Sequence, residues 1–116
     1  MTWNLFIDDE RNPMDVKWLS YDLTARYRND DWLIARNIAE VSELICQFGM
    51  PSFISFDHDL GNNEPTGYDI AKELVEIDLN LNFKFPNNFD FAVHSKNPVG
   101  KANIEAYMRN YFKQRE

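Results

Sequence analysis

The feature that most narrows what this chain can fold into is Phe53-Ile54-Ser55-Phe56, followed at once by Asp57-His58-Asp59-Leu60-Gly61. A short run that is apolar except for Ser55 suits a strand covered on both faces, the usual situation in a parallel sheet. Its abrupt end puts three ionisable groups past the carboxyl end of the strand, where open α/β sheets take their ligands. Two other apolar runs stop the same way. Leu5-Phe6-Ile7 runs into Asp8-Asp9-Glu10-Arg11, and Phe91-Ala92-Val93 runs into His94-Ser95-Lys96-Asn97. Parallel strands would bring the three endings to one edge and make them one site.

Strands are expected over residues 3–7, 32–35, 53–56 and 89–93, with helices between them. Asn37 with Glu40, and Thr66 with Asp69, have the spacing of a helix-opening pair, in which a side-chain acceptor meets a free amide and the acid reaches back. Ile38, Val41, Leu44, Ile45 and Phe48 then fall on one helical face, and Gly49 and Pro51 stop that helix. Tyr68, Ala71, Leu74, Val75 and Leu79 form the next stripe. Asn97-Pro98 reads as a cap and first-turn proline. Ile104, Tyr107, Met108, Tyr111 and Phe112 are the apolar face of the last helix, with Lys113 and Arg115 at its dipole's negative end. Residues 14–31 have mixed periodicity; a helix within 14–28 and a turn at 29–31 are expected there. Residues 80–88 read as a connection. Alternation of strand and helix gives an α/β fold of three layers, with a mostly parallel sheet of four or five strands.

A length of 116 residues fits one domain, 1–116, and a 44% hydrophobic content supplies its core. The net charge of −7 argues against duplex nucleic acid held by a basic surface, but leaves a small anion open, since a local site can be positive or metal-filled. The single cysteine, Cys46, excludes an internal disulfide; it is read as a core residue of a helix in a reducing compartment. Met1-Thr2-Trp3-Asn4 lacks a basic leader and no stretch is apolar enough to span a bilayer, so a cytoplasmic location without membrane contact is expected. No glycine-rich phosphate-loop sequence is present.

Each strand ending carries its own chemistry. Asp8 and Asp9 crowd two carboxylates together, which calls for a compensating cation; oxygen ligands favour Mg²⁺ or Mn²⁺. The alternative is a pair of solvated loop acids. Arg11 either grips a phosphate with its planar fork or makes a surface ion pair. Of Asp57 and Asp59, one completes the metal site and the other orients His58, unless they only cap a turn. Ser95, Lys96 and Asn97 lie where a strand hands over to a helix, a natural place for an anion, although Asn97 also serves as the helix cap. The chain has two histidines, His58 and His94, and both fall at this edge. Two imidazoles beside one phosphate suit a general acid and a general base.

Asp8-Asp9, Asp57, and Ser95 beside Lys96 resemble the receiver domain of two-component response regulators. A closer resemblance is to a receiver-like family described as cyclic-phosphate processing. Its pattern is D-D-x-R, S-x-D-H-D-L-G, T-G-Y-D and H-S-x-N-P-x-G. This chain has Asp8-Asp9-Glu10-Arg11, Ser55 through Gly61, Thr66 through Asp69, and His94-Ser95-Lys96-Asn97-Pro98-Val99-Gly100. The resemblance implies a flavodoxin-like sheet and the processing of cyclic phosphates, including 2′,3′-cyclic RNA ends. Two departures stand out. Residues 14–31 are longer than that family's connection, as an insertion, lid or protein-partner surface would be. An ordinary receiver also has five strands, with its Ser/Thr and Lys on separate ones.

The leading expectation is a metal-assisted phosphoesterase. Asp8, Asp9, Asp57 and Asp59 would hold Mg²⁺ or Mn²⁺, His58 and His94 would move protons, and Arg11, Ser95, Lys96 and Asn97 would bind the phosphate of a small ligand or RNA end. The alternatives are a receiver phosphorylated on Asp57 and a module that sequesters a nucleotide or protein without turnover.

Overall fold

The computed structural model describes residues 2–80 and 83–115. The strands are β1 (Asn4–Ile7), β2 (Leu33–Ala35), β3 (Phe53–Phe56) and β4 (Asp90–Val93), and the helices are α1 (Tyr21–Asn29), α2 (Ile38–Phe48), α3 (Gly67–Leu79) and α4 (Pro98–Arg115). A short 3-10 turn at Pro13–Asp15 precedes α1. The sheet is parallel throughout, in the order β2-β1-β3-β4. The fold is a receiver-like, flavodoxin-like α/β architecture on four strands.

Register explains why the strand endings meet. Ile7 lies level with Phe56, and Phe56 with Val93. The ladder continues one residue further: the amide of Asp57 donates to the Ile7 carbonyl, that of His94 to Phe56, and that of Asp8 to Ala35. Asp8, Asp57 and His94 are therefore the first residues past three adjacent strands.

Side chains alternate across the sheet. Leu5, Ile7, Ile54, Phe56 and Val93 join the larger core, covered by α2, α3 and α4. Phe6 points the other way, into a second cluster with Val16 and Tyr27, flanked by Trp18, Leu19, Leu23, Trp32 and Ile34. The stretch 14–31 thus covers the second face of the sheet. Its helix begins later than the expected 14–28 span and continues to Asn29, because Val16, Trp18 and Leu19 dock individually before the first helical turn.

Helix signals translate into contacts with small shifts. The Asn37 side chain accepts from the Glu40 amide, while the Glu40 carboxylate reaches Arg36, one residue before the cap. Thr66 and Asp69 make the reciprocal pair as expected. Phe48 and Leu79 are 39% and 56% exposed and fall outside the buried stripes, whereas Ile70 and Asp78 belong to the α3 stripe. Cys46 is exposed on α2 and not a core residue; it lies on the helix face turned away from Val41 and Ile45. Arg115 does more than meet the α4 dipole. It reaches Asp78 on α3 and the Phe85 carbonyl. Leu81 and Asn82 of the expected connection lie outside the described residues. Among the described residues no helix is long and apolar enough to cross a membrane.

Candidate active site

An open cleft of about 330 Å³ lies at the carboxyl edge of the sheet, and Asp8, Asp9, Glu10, Arg11, Asp57, Asp59, Gly61, Ser95, Lys96 and Asn97 line it. Its floor is charged and buried. Asp8 is 1% exposed, Asp57 6% and His94 0%. Ligating atoms of these three residues lie within 4.8 Å of one another, the one such cluster found among the described residues. The four acids expected to hold a cation, Asp8, Asp9, Asp57 and Asp59, do not form one such group. His94 joins Asp8 and Asp57, while Asp9 and Asp59 line the same cleft outside that group.

Asp8 is held from several sides. Its Oδ1 accepts the amides of Glu10 and Arg11 at 2.9 and 2.8 Å. Its Oδ2 is 2.9 Å from His94 Nε2 and 3.6 Å from the Arg11 guanidinium. Burial by itself would raise its pKa, but the bonds from His94 and from the two amides outweigh it and hold the group at about 2. Asp57 has less support. Its Oδ1 accepts the His58 amide. Burial, and next the charge of Asp8, push its pKa up. The floor thus carries one well-compensated carboxylate and one that is not.

Ring nitrogens of His94 are both engaged. Nε2 faces Asp8, and Nδ1 lies 2.6 Å from Ser55 Oγ. Ser55 in turn meets the Tyr27 hydroxyl in a close hydrogen bond. Since Asp8 is a carboxylate, His94 Nε2 donates to it, and the hydrogen-bonded chain continues inward from Nδ1 through Ser55 to Tyr27. Burial moves the Tyr27 phenol up to about 12, so it remains a donor. Phe6 stacks on the imidazole with centroids 4.5 Å apart and planes 7° from parallel. Ser55 was legible as the lone polar residue of an apolar strand. Tyr27 and Trp18 lay hidden in a stretch without clear periodicity.

His58 lies elsewhere. It is not among the residues lining the cleft. Its ring packs on Gly100 at the start of α4, where a Cβ would come within 2.3 Å of the ring. Nδ1 is 3.0 Å from Asp59 Oδ1, and Asn97 Nδ2 donates to Asp59 Oδ2. These two bonds, that of His58 foremost, lower the Asp59 pKa. The structure therefore does not bring the two histidines together on the floor. Asn97 both caps α4, through the Gly100 amide, and reaches the cleft. Ser95 is buried and accepts the Asn97 amide, and Lys96 is exposed at the rim.

Arg36 secures the first strand ending. It donates to the carbonyls of Asp8 and Arg11 and to Asn12 Oδ1. On the other side, Gly67 at the start of α3 presses against the Asp57 carbonyl, where a Cβ would come within 1.7 Å. Only glycine permits that approach.

Comparison with known proteins agrees with this fold. The family model described as the cyclic-phosphate processing receiver domain matches residues 3–110. A search of curated proteins finds no match. A solved structure described as a yeast Spc42 trimeric coiled coil, amino acids 181–211, fused to another structure, matches with a TM-score of 0.54 at 15% identity. The match covers 90% of this chain and 62% of that one, and at such identity it is a likeness of fold.

Proposed function

The chain belongs to the cyclic-phosphate processing receiver family, and on that premise we propose that it is a metal-assisted phosphoesterase acting on a cyclic phosphate at the carboxyl edge of the sheet. The observation that carries the reading is the convergence of Asp8, Asp57 and His94 within 4.8 Å beneath a cleft rimmed by Arg11 and Lys96. The donor set fits a divalent cation. Two buried carboxylates face each other, one of them with its pKa raised by burial and by the charge of the other, and a cation would relieve that repulsion. Held by these residues, Mg²⁺ or Mn²⁺ would supply Lewis-acid chemistry to a phosphoryl group.

The protein's own groups take the remaining roles. Asp8 and Asp57 would hold the ion. His94 contributes to that group or holds Asp8 in place; with both ring nitrogens engaged, it is assigned a positioning part. Arg11, Ser95, Lys96 and Asn97 receive the phosphate oxygens, Arg11 and Lys96 with charge. His58, outside the cleft lining, holds Asp59, which lines it, and so has a supporting part. Asp9 carries further negative charge beside Gly61.

Purified protein with Mn²⁺ or Mg²⁺ is expected to open a 2′,3′- or 3′,5′-cyclic nucleotide to a phosphomonoester, and Asp57→Asn to abolish the reaction. A panel of both classes left intact by the wild type rejects the enzyme reading.

One observation favours a second reading. Among the described residues Asp57 Oδ2 has no hydrogen-bond partner, which is what a phosphate-accepting carboxylate requires. In that case acetyl phosphate adds the mass of one phosphoryl group to the wild type and none to Asp57→Asn. No mass change in the wild type ends this reading.

A further inference from the structure

Trp18 precedes α1 and does not itself line the cleft, yet it touches both of the cleft's rim cations. The Lys96 ammonium lies 4.3 Å from the centroid of its ring, and the Arg11 guanidinium 5.0 Å. The indole Nε1 donates to the His94 carbonyl at 2.9 Å, which fixes the ring against the end of β4. A rigid aromatic face thus stands between the first and third strand endings, with one cation from each upon it.

The cations have little else to hold them. Among the described residues Lys96 makes no salt bridge, and Arg11 makes one, the 3.6 Å contact to Asp8. The Arg11 backbone is fixed by Arg36, so only its side chain has a choice. That choice is between Asp8 on the cleft floor and the Trp18 ring at the rim. Turned fully to Asp8, the guanidinium would occupy the space above the acids and neutralise them. Shared with the ring, it stays where an incoming anion meets it.

We propose that Trp18 is a positioning residue that gathers Arg11 and Lys96 into a two-cation clamp for a phosphate group at the rim of the cleft. The proposal deepens the phosphoesterase reading and rests on it for the identity of the anion. Lysine and arginine lose much rotamer freedom when they grip a ligand. A ring that already holds them makes part of that loss before binding, which is preorganisation. Each cation–π contact at a partly exposed site corresponds to roughly a two- to fivefold change in an equilibrium constant. Loss of both should weaken anion binding roughly tenfold.

The test titrates inorganic phosphate and 2′,3′-cyclic AMP, each with Mn²⁺ present, into the wild type, Trp18→Phe and Trp18→Leu. Leucine fills much of the space without offering a π face. The expected result is roughly tenfold weaker binding of both anions to Trp18→Leu and a smaller loss in Trp18→Phe, which keeps a π face but not the bond to the His94 carbonyl. Proton NMR supplies a readout that simple loss of packing would not give. The Lys96 ε-methylene protons should be shielded by the indole in the wild type, and that shielding should vanish in Trp18→Leu. Equal affinity in the wild type and Trp18→Leu overturns the clamp, as does a wild type that binds neither anion. Should Trp18→Leu fail to fold, unshielded Lys96 ε-protons in the wild type overturn it as well. A clamp that behaves as expected, in a protein that opens no cyclic nucleotide, survives while the phosphoesterase reading falls.

Discussion

Asp57 and Asp78 are two buried aspartates in opposite surroundings. Asp78 lies near the end of α3, at the far edge of the sheet from the cleft. It is wholly buried and fully partnered, accepting from the Phe85 amide, the Tyr111 hydroxyl and Arg115 through Nε and Nη2. Burial raises its pKa, but the bonds from Tyr111, Phe85 and Arg115 prevail and the net shift is downward. The same bond to Asp78, together with burial, moves the Tyr111 phenol up to about 12. Asp57 accepts one amide, faces the charge of Asp8, and shifts upward. A buried carboxylate with its partners built in is a structural fastener, here joining α3, α4 and the 83–89 connection. A buried carboxylate without them is a place kept for something else.

Substitutions should separate the two with opposite sign. The largest effect is expected from Asp78→Ala, which strands Arg115 and Tyr111 and should lower unfolding free energy by about 3 kcal/mol. Urea denaturation measures it, and Mn²⁺ affinity of the folded protein should stay unchanged. A loss of Mn²⁺ binding would mean that the two ends are coupled. Next comes Gly67→Ala, whose Cβ meets the Asp57 carbonyl. About 2 kcal/mol of stability should be lost, together with metal affinity, as Asp57 is displaced. Wild-type Mn²⁺ affinity in this variant would show that the position of Asp57 is not critical.

Asp57→Asn should do the reverse of Asp78→Ala. Without metal at pH 7 it should gain about 1 kcal/mol, since an uncompensated charge is removed, and it should no longer bind Mn²⁺. If it is less stable than the wild type, the contrast between the two aspartates is lost.

The smallest effect is that of pH. Because the folded-state pKa of Asp57 is raised above the ordinary 3.8, its ionised form disfavours folding, and protonation relieves this as pH falls through the raised value. Mild acidification from pH 7 should therefore weaken Mn²⁺ binding and slightly favour the metal-free fold over Asp57→Asn. Asp8 and Asp78 act in the opposite direction. Their stabilisation is present above the ordinary value and disappears as pH falls through their lowered ones, about 2 for Asp8. Manganese titrations and melting temperatures on the acid side of neutrality, down to about pH 4, should show the Asp57 sign, and melting temperatures below about pH 4 that of Asp8 and Asp78.

Much of this was legible before any coordinates. The strands announced themselves because their apolar runs end in charge, and a parallel register makes such endings coincide. Helix starts were legible from Asn37, Thr66 and Asn97, whose side chains meet amides a fixed distance along the chain. What stayed hidden depends on which face a residue takes. Val16, Trp18 and Tyr27 reach the sheet from a loop and a short helix, so no single period links them. His58 and His94 look equivalent in sequence, yet the strand register puts His94 on the floor, while the turn after Asp57 rotates His58 onto Gly100. Asp78 could have been noticed: it occupies the turn after Leu74 and Val75, an acid on an apolar stripe.

The sheet order also has a consequence in time. Strands β1 and β4 flank β3, and the bond between Asp8 and His94 joins residues 86 positions apart. During synthesis at about 10 residues per second, Asp8 emerges roughly ten seconds before its imidazole partner. In that interval β1 and β3 can pair, but the acids they bring together have no histidine beside them. The nascent chain therefore passes through a stage with Asp8 and Asp57 adjacent and the strand that leads to His94 still to come. A ribosome-bound chain arrested before β4 should show an unfinished edge in place of a cleft.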